Sequence, residues 1–249
     1  SGIAYGGPAY TQAGVQNGIS PGTGTIKENI LKLAPLPLRH NPGEQFTYGL
    51  NSDVLGYLIE VLSGMPFDQF MKTRIFDPLK MKDTCFFVPE NQMDRLAGLY
   101  RGGNPDTPQM PEEPRTLFSG GAGLRSTAAD YLRFAQMILN GGELDGVRLL
   151  SPKTVAMMTT NQIGDLIEPF ADNAGDKYGF GFGIRTEHGP LAGVESLGVL
   201  DWDGAHTSRF WIDPQEKLVG VFMTQGGEWR LLNLTRNLTY QALIEPYGN

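Results

Sequence analysis

The sequence has little cysteine, no basic clusters and no long apolar runs, and each lack excludes a class of protein. Cys85 is the only cysteine among 249 residues, so an intrachain disulfide and a thiolate metal cluster are excluded. The 20 lysines and arginines are scattered and the net charge is −7, which argues against nucleic-acid binding and an anionic membrane surface. No apolar run approaches the roughly 20 residues that span a bilayer. The expected ligand is therefore a small molecule.

The chain also lacks a recognisable start. It begins Ser1-Gly2-Ile3, without a methionine or a signal-like apolar segment. We expect the natural N-terminus, with any targeting signal, to lie outside this sequence, and the cellular compartment stays open. Glycine and proline cluster in residues 1–24 and 102–123, which predicts long functional loops.

Helical patterns dominate the first two thirds of the chain. A capping-box pattern from Thr25 to Glu28 predicts a short helix. Apolar residues over 54–62 fall at helical spacing, and Gly64 follows where a left-handed C-terminal cap belongs. Capping signals predict further helices over 67–76, over 127–140 and from Ser151 onward.

The apolar period changes after residue 178. Strands are predicted over 178–184, 206–212 and 218–224, followed by a helix from 229 to about 244. This order indicates an α+β fold with an antiparallel sheet, divided into a mainly helical region, 1–175, and a region of strands and terminal helix, 176–249. Because three strands leave sheet edges uncovered, we expect a segment absent from this chain to complete the sheet.

Two sequence patterns that could indicate a catalytic or a metal site are weak. Residues 18–22 fit the G-x-S-x-G nucleophile elbow around Ser20. An elbow needs a buried strand before the serine, whereas residues 11–25 are polar and glycine-rich, so we interpret this stretch as a loop. His40, His188 and His206 lie in separate segments without metal-ligand spacing, and neither a metal nor a cofactor is predicted.

Tyr48 is the residue whose setting points most clearly to chemistry. It places a phenol just ahead of the predicted helix over 54–62, beside Gly49, which permits close approach of another group. From the residues alone, both a packing tyrosine and a reactive phenol remain open.

Five segments, in one order, resemble the superfamily of serine β-lactamases, penicillin-binding proteins and family VIII carboxylesterases. Together they extend over nearly the whole chain, and the resemblance implies a β-lactamase/transpeptidase-like fold that lacks its N-terminal strands and helix. The segments are residues 1–6 (SGIAYG), 41–56 (NPGEQFTYGLNSDVLG), 77–84 (DPLKMKDT), 119–131 (SGGAGLRSTAADY) and 202–214 (WDGAHTSRFWIDP).

The resemblance implies a catalytic role for Tyr48, which matches the tyrosine of the family's second motif. That tyrosine relays protons between the serine nucleophile, a lysine and the leaving group. The glycine loop around Gly121 is expected to form one wall of the cleft.

Trp202-Asp203-Gly204 resembles the third motif of the family. The resemblance places these residues on a strand that lines the cleft, where a backbone N–H helps to hold the oxyanion. Ala205 and His206 are expected to line the same cleft, with His206 near the acyl or leaving group. Asp203 replaces a glycine of the family pattern, and its effect is not predicted.

Two further departures shape the functional hypothesis. Leu50 takes the place of an asparagine that donates to the amide of a β-lactam side chain, so we expect Leu50 to line an apolar pocket for an ester acyl group. The Ser-x-x-Lys motif is absent, since no serine stands three residues before any lysine. The resemblance therefore implies a serine esterase whose nucleophile lies outside this chain, so that this chain alone should not acylate.

Other functions stay open. The alternatives are a class C-like β-lactamase or D-Ala peptidase, and a non-catalytic binding domain of the same fold. The expected partner is a small ester or amide, with no nucleic acid and no membrane span. Exposed sheet edges also allow a homodimer or association with the missing N-terminal segment.

Overall fold

A computed structural model of the chain describes residues 1–19, 22–101, 104–106, 116–166, 176–188 and 193–243. They form two compact units. The first contains Ser1–Pro78, Lys82–Gly98 and the described residues of Thr107–Ser126. The second contains Leu79–Met81, Leu99–Asp106 and the described residues of Thr127–Asn249.

Helices occur in both units. A π-helix, Lys72–Phe76, continues the fourth α-helix, and a 3-10 helix spans Glu90–Arg95. Within the described residues the α-helices are α1 Pro8–Ala13, α2 Ile26–Leu33, α3 Asn51–Ser63, α4 Phe67–Met71, α5 Ala128–Leu139, α6 Pro152–Met158 and α7 Arg230–Gln241.

The strands belong to the second unit. Those described are β1 Leu99–Arg101, β2 Asn104–Asp106, β3 Glu143–Leu144, β4 Val147–Arg148, β5 Lys177–Tyr178, β6 Gly183–Ile184, β7 Leu200–Gly204, β8 Ser208–Asp213 and β9 Leu218–Met223. The pairs β1–β2 and β3–β4 form two-stranded ribbons, and β5 to β9 form one antiparallel sheet in sequence order. The predicted α+β class with an antiparallel sheet is confirmed.

Local signals account for the ends of the helices. The Thr25 hydroxyl accepts the backbone N–H of Glu28, whose carboxylate accepts the Thr25 N–H, so the predicted capping box forms. Helix α3 ends at Gly64 in the left-handed conformation, with φ 69°. The predicted helices over 54–62 and from Ser151 are confirmed, with ends one to three residues from those expected.

The first unit is organised around a small apolar core. Ala4, Tyr10, Leu33 and Leu50 are buried together, and the Tyr10 hydroxyl accepts the N–H of Ala4. Burial of these side chains stabilises the unit by removing apolar surface from water. The core thereby holds the N-terminal segment beside the residues that precede α3.

The two faces of the five-stranded sheet carry different helices. On one face Phe210 of β8 packs against Tyr131 of α5, with ring centroids 4.9 Å apart. On the other, Trp211 of β8 and Tyr240 of α7 are buried in one cluster with Val199. Side chains of adjacent strand residues point to opposite faces, so β8 contributes to both layers.

The sheet differs from the prediction in two places. The region 178–184, predicted as one strand, is a hairpin of β5 and β6, because Gly181 adopts a left-handed φ of 90° and the Gly179 N–H donates to the carbonyl of Phe182. The strand predicted from residue 206 begins at Ser208. The described sheet therefore has five strands, not three.

Other expectations concern the ends of the chain. Helix α1 forms within the region predicted as a loop, with Pro8 at its first position. Helix α7 ends at Gln241, and residue 244, to which the prediction extended, lies outside the described residues. In the described ranges no helix combines the length and apolarity needed to cross a membrane. The functional division at residue 175 stays a prediction.

Candidate active site

Tyr48 lies in the loop that leads into α3, three residues before its first residue, and is half-buried. Its ring packs on that of Tyr5, with centroids 5.3 Å apart and planes tilted by 32°. The loop before it is tied by a hydrogen bond of 2.5 Å between His40 Nε2 and Thr47 Oγ1. A phenol held in this way is positioned by its neighbours while part of it remains open to solvent.

Two glycines allow close packing around Tyr48. A Cβ atom on Gly49 would lie 2.2 Å from the carbonyl oxygen of Ile3, so only glycine fits there. A Cβ atom on Gly121 would lie 2.7 Å from the Tyr5 hydroxyl. Gly121 thus packs against the residue on which Tyr48 stacks, which brings two of the predicted site residues into one neighbourhood of the first unit.

Leu50 has a different environment from the one expected. Its side chain is 0% exposed and packs in the core with Ala4, Tyr10 and Leu33. Leu50 is the N-cap residue of α3, and Val54 of that helix packs against the same core. The described structure leaves Leu50 no surface for a substrate, and its part in a pocket stays a prediction.

Asp53 is a buried acid in the first turn of α3. Burial raises the pKa of its carboxyl, against the opposing effect of the Ser119 hydroxyl and the N–H groups of Gly120 and Gly121. The Ser119 hydroxyl oxygen also accepts the N–H groups of Gly121 and Ala122, at 3.3 and 3.2 Å. Sequence reasoning missed Asp53, since an acid at the start of a helix is ordinary and its loop partners lie more than 60 residues away.

In the second unit, Trp202 and Gly204 belong to β7. The ring of Trp202 meets that of Tyr178 edge-on, with centroids 4.9 Å apart. Of the residues of β7, only Leu200 and Asp201 pair with β6, so residues 202–204 extend beyond the end of β6. Successive residues of a strand direct their N–H groups to opposite sides, so this extension presents backbone donors on the side away from β8.

The Ala205 and His206 segment is a turn, not a strand. Thr207 adopts a left-handed φ of 66°, and its N–H donates to the carbonyl of Gly204 at 3.0 Å, which closes a three-residue connection between β7 and β8. Ala205 is exposed and His206 is half-buried. Both residues therefore lie at one end of the sheet, next to Gly204.

Asp203 pairs with the residue directly opposite it on β8, Arg209. Arg209 Nε donates to Oδ1 at 2.5 Å and Nη2 to Oδ2 at 2.7 Å, and Nη1 donates to the amide oxygen of Asn233 on α7. The charge of the carboxylate is thus compensated locally. This explains how an acid is accommodated at the position where the family pattern has glycine.

A buried charge network occupies the same face of the sheet. Arg185 pairs with Asp176 and Glu195, and Arg236 of α7 pairs with Glu195 and Asp201 at 3.1 and 2.6 Å. Burial raises the pKa of Asp201 to about 6, although Arg236 and then Arg209 lower it. The network joins Arg185, directly after β6, to Asp201 of β7 and Arg236 of α7, and β7 is the strand that carries the third motif.

The site residues fall into two sets, each within one unit. Tyr48, Leu50 and Gly121 belong to the first unit, and residues 202–206 belong to the second. Ser20, of the elbow pattern, lies outside the described residues. In the ranges that the structure describes, no group of three or more His, Cys, Asp or Glu side chains could hold a metal ion.

Comparisons with known proteins extend over most of the chain. A family model described as Beta-lactamase matches residues 1–241. Protein Rv1367c of Mycobacterium tuberculosis is 35% identical over 214 residues, which cover 79% of this chain and 52% of that protein. Esterase EstB of Burkholderia gladioli is 29% identical over 243 residues, which cover 86% of this chain and 59% of EstB. The chain thus spans little more than half the length of these relatives.

The fold of this chain is also similar to that of a solved structure. The protein described as EstCE1, a hydrolase with promiscuous acyltransferase activity, superposes with a TM-score of 0.83 at 24% identity. The superposition covers 96% of this chain and 69% of that chain. At this identity the similarity shows the fold alone.

Proposed function

Because the chain belongs to the Beta-lactamase family, we propose that the protein is an acyl-transfer serine hydrolase that cleaves carboxylic esters through an acyl-enzyme. The setting of Tyr48 is the observation that carries this proposal. A half-buried phenol, packed on Tyr5 and fixed between a tied loop and the start of α3, is suited to proton transfer in acyl transfer. In the proposed mechanism Tyr48 takes the proton of the nucleophile and delivers it to the leaving group.

The nucleophile and its lysine are proposed to come from residues outside this chain. No serine stands three residues before a lysine in the 249 residues, and the chemistry needs the two groups one helical turn apart. The matched region covers 52% of Protein Rv1367c, so that relative has room for such a segment. The 249-residue chain by itself should form no acyl-enzyme.

The oxyanion is proposed to bind at the end of β7. Residues 202–204 continue past the end of β6, and a strand extended in this way can donate backbone N–H groups to a tetrahedral oxygen. Ala205 and His206 follow in the turn, where His206 would lie near the acyl or leaving group. Within the first unit, the Gly121 loop is proposed as a wall beside Tyr48.

An ester substrate is favoured over a β-lactam for two reasons. Leu50 lacks the amide that binds the side chain of a β-lactam in the family pattern, and its burial in the core offers no replacement donor. The relative EstB is named an esterase. The β-lactamase or D-Ala peptidase remains the second candidate, because the family model carries the Beta-lactamase description.

The test is kinetic and uses the protein expressed from its complete reading frame. We expect faster hydrolysis of a short p-nitrophenyl ester than of a chromogenic cephalosporin, and the reverse ranking would favour the second candidate. Tyr48→Phe should lower kcat/KM about 100-fold or more, the scale of general acid–base catalysis. Tyr57→Phe, a half-buried tyrosine of α3, is the matched control.

A covalent probe separates the enzyme from a binding domain. A fluorophosphonate should label the full-length protein and leave the 249-residue chain unlabelled. Absence of a Ser-x-x-Lys motif from the reading frame, or absence of labelling at full length, would end the catalytic proposal. That outcome would favour a binding domain of the same fold.

A partner strand is proposed for the edge of the sheet. In the described part of the sheet β9 is bordered by β8 alone, and its residues are only half-buried. An uncharged edge strand of this kind favours pairing with a second copy or with a segment outside this chain. Light scattering of the 249-residue chain should detect association, and a stable monomer at all concentrations would contradict it.

A further inference from the structure

Asp53 is a buried acid to which the proposed mechanism gives no role. It is the third residue of α3 and 1% exposed. Within the described residues no donor meets hydrogen-bond geometry at either carboxylate oxygen. A buried ionised group with so little compensation destabilises a fold, so its presence calls for an explanation other than stability.

The surroundings of Asp53 supply that explanation. Its carboxylate lies beneath the glycine loop, where a Cβ atom on Gly121 would be 3.0 Å from Oδ2. A Cβ atom on Gly120 would be 2.2 Å from the carbonyl oxygen of Ser52, so the loop rests directly on the first turn of α3. Ser119, 2% exposed, bonds through its hydroxyl oxygen to the loop N–H groups and faces Asp53 as well.

The same loop connects Asp53 to Tyr48. Gly121 packs between Asp53 and Tyr5, since its Cβ position is 2.7 Å from the Tyr5 hydroxyl and 3.0 Å from Asp53 Oδ2. Tyr5 in turn stacks on Tyr48. A change at the carboxylate therefore reaches the phenol through three successive packing contacts, from Asp53 to Gly121, to Tyr5 and to Tyr48.

We propose that Asp53 is a positioning residue of the active site. Its ionised carboxylate keeps the Gly120–Gly121 loop packed on the first turn of α3 and thereby fixes the stacking of Tyr5 on Tyr48. This inference rests on the proposed function. The negative charge attracts the N–H groups of Gly120 and Gly121 and the hydroxyl of Ser119, whereas the protonated carboxyl attracts them less. When Asp53 is protonated, the Gly120–Gly121 loop is released from the first turn of α3, and Tyr48 loses its fixed position.

A structural role and a positioning role make opposite predictions for stability. Burial raises the pKa of Asp53 above its ordinary value of 3.8, so at neutral pH the folded protein holds a charge that it disfavours. Asp53→Asn removes the charge at nearly constant volume. We expect the urea midpoint at pH 7 to stay the same or rise, while kcat/KM for the p-nitrophenyl ester falls at least 10-fold.

The pH profile supplies a second readout. Activity of the full-length protein should fall as the pH drops through the raised pKa of Asp53, which adds an acid limb to kcat/KM. In Asp53→Asn that limb should disappear, while the remaining activity becomes flat over the same range. Asp68→Asn, in the first turn of α4, is the matched control and should keep both the limb and the rate.

A spectroscopic measurement tests the contact without catalysis. In the 249-residue chain, the backbone amide shifts of Gly120 and Gly121 should titrate together with one apparent pKa above 3.8, and Asp53→Asn should abolish this titration. Ser119→Ala should move the apparent pKa upward, because it removes a group that stabilises the charge. Amides that do not titrate would overturn the proposal.

The outcomes separate this inference from the proposed function. If Tyr48→Phe is inactive but Asp53→Asn keeps its rate and its acid limb, Asp53 is not a positioning residue and the function stands. If Asp53→Asn loses stability and activity together and keeps the acid limb, its role is structural and the inference fails. If Tyr48→Phe is fully active, the proposed function fails and the inference fails with it.

Discussion

Asp203 and Arg209 face each other across β7 and β8 and share two hydrogen bonds, 2.5 Å from Nε to Oδ1 and 2.7 Å from Nη2 to Oδ2. Arg209 is 7% exposed, and Asp203 and Asn233 are among the acceptors that compensate its buried charge. An acid within the third motif is therefore part of a pair, and its effects cannot be separated from those of the arginine.

Removal of one partner should cost more than removal of both. We expect Asp203→Ala to lower the free energy of unfolding by about 3 kcal/mol, because it removes two charge-assisted hydrogen bonds from a buried guanidinium. The double variant Asp203→Ala/Arg209→Met should recover at least about 1 kcal/mol of that loss. Urea denaturation of the two single variants and the double variant measures the coupling, and strictly additive losses would contradict it.

Leu50 should behave as a core residue. Leu50→Ala is expected to destabilise the chain by about 2–5 kcal/mol, since it leaves a cavity among fully buried neighbours. Leu50→Met should cost less than about 1.5 kcal/mol. If ester chain-length preference changes with Leu50→Met while stability does not, the residue contacts substrate after all.

Gly49 should tolerate no side chain. A Cβ atom would lie 2.2 Å from the carbonyl oxygen of Ile3, so Gly49→Ala must displace either the N-terminal segment or the Tyr48 loop. We expect a loss of about 1–3 kcal/mol in the free energy of unfolding, together with loss of ester hydrolysis. Gly98→Ala is the control, because no atom lies within 4 Å of its Cβ position.

Asp201 should make stability fall as the pH rises. Its pKa in the folded protein is about 6, above the ordinary value of 3.8. Between these values the folded protein binds more protons than the unfolded chain, so the contribution of Asp201 to the free energy of unfolding is full below pH 4 and is lost as the pH rises through 6, on the order of 3 kcal/mol. Denaturation from pH 4 to 7 should show this slope, which Asp201→Asn reduces and Asp165→Asn leaves unchanged.

Elements fixed by local signals were predictable from the sequence. The reciprocal bonds of Thr25 and Glu28 begin α2, and Gly64 ends α3, as expected. The β-lactamase/transpeptidase-like fold implied by the resemblance is confirmed by the family match and the superposed structure. These features depend on residues close in sequence or on segments long enough to identify a family.

The features that the sequence did not predict depend on competing local conformations or on contacts between residues far apart in the sequence. The alternating glycines in 178–184 are compatible with either a strand or a turn. In the structure Gly181 adopts a left-handed conformation, and the segment forms a hairpin. Asp53 is defined by Gly121, 68 positions later in the sequence. No local pattern reports such a contact, and the same is true of the pairing of Asp203 with Arg209.

The single cysteine has a practical consequence. Cys85 lies in an isolated antiparallel bridge to Arg125, with backbone hydrogen bonds of 3.0 and 2.8 Å, and burial raises the pKa of its half-buried thiol. Little thiolate is present at neutral pH, so alkylating reagents react mainly when this bridge opens. The rate at which Cys85 is alkylated therefore measures how often this part of the first unit opens locally, and no engineered cysteine is needed.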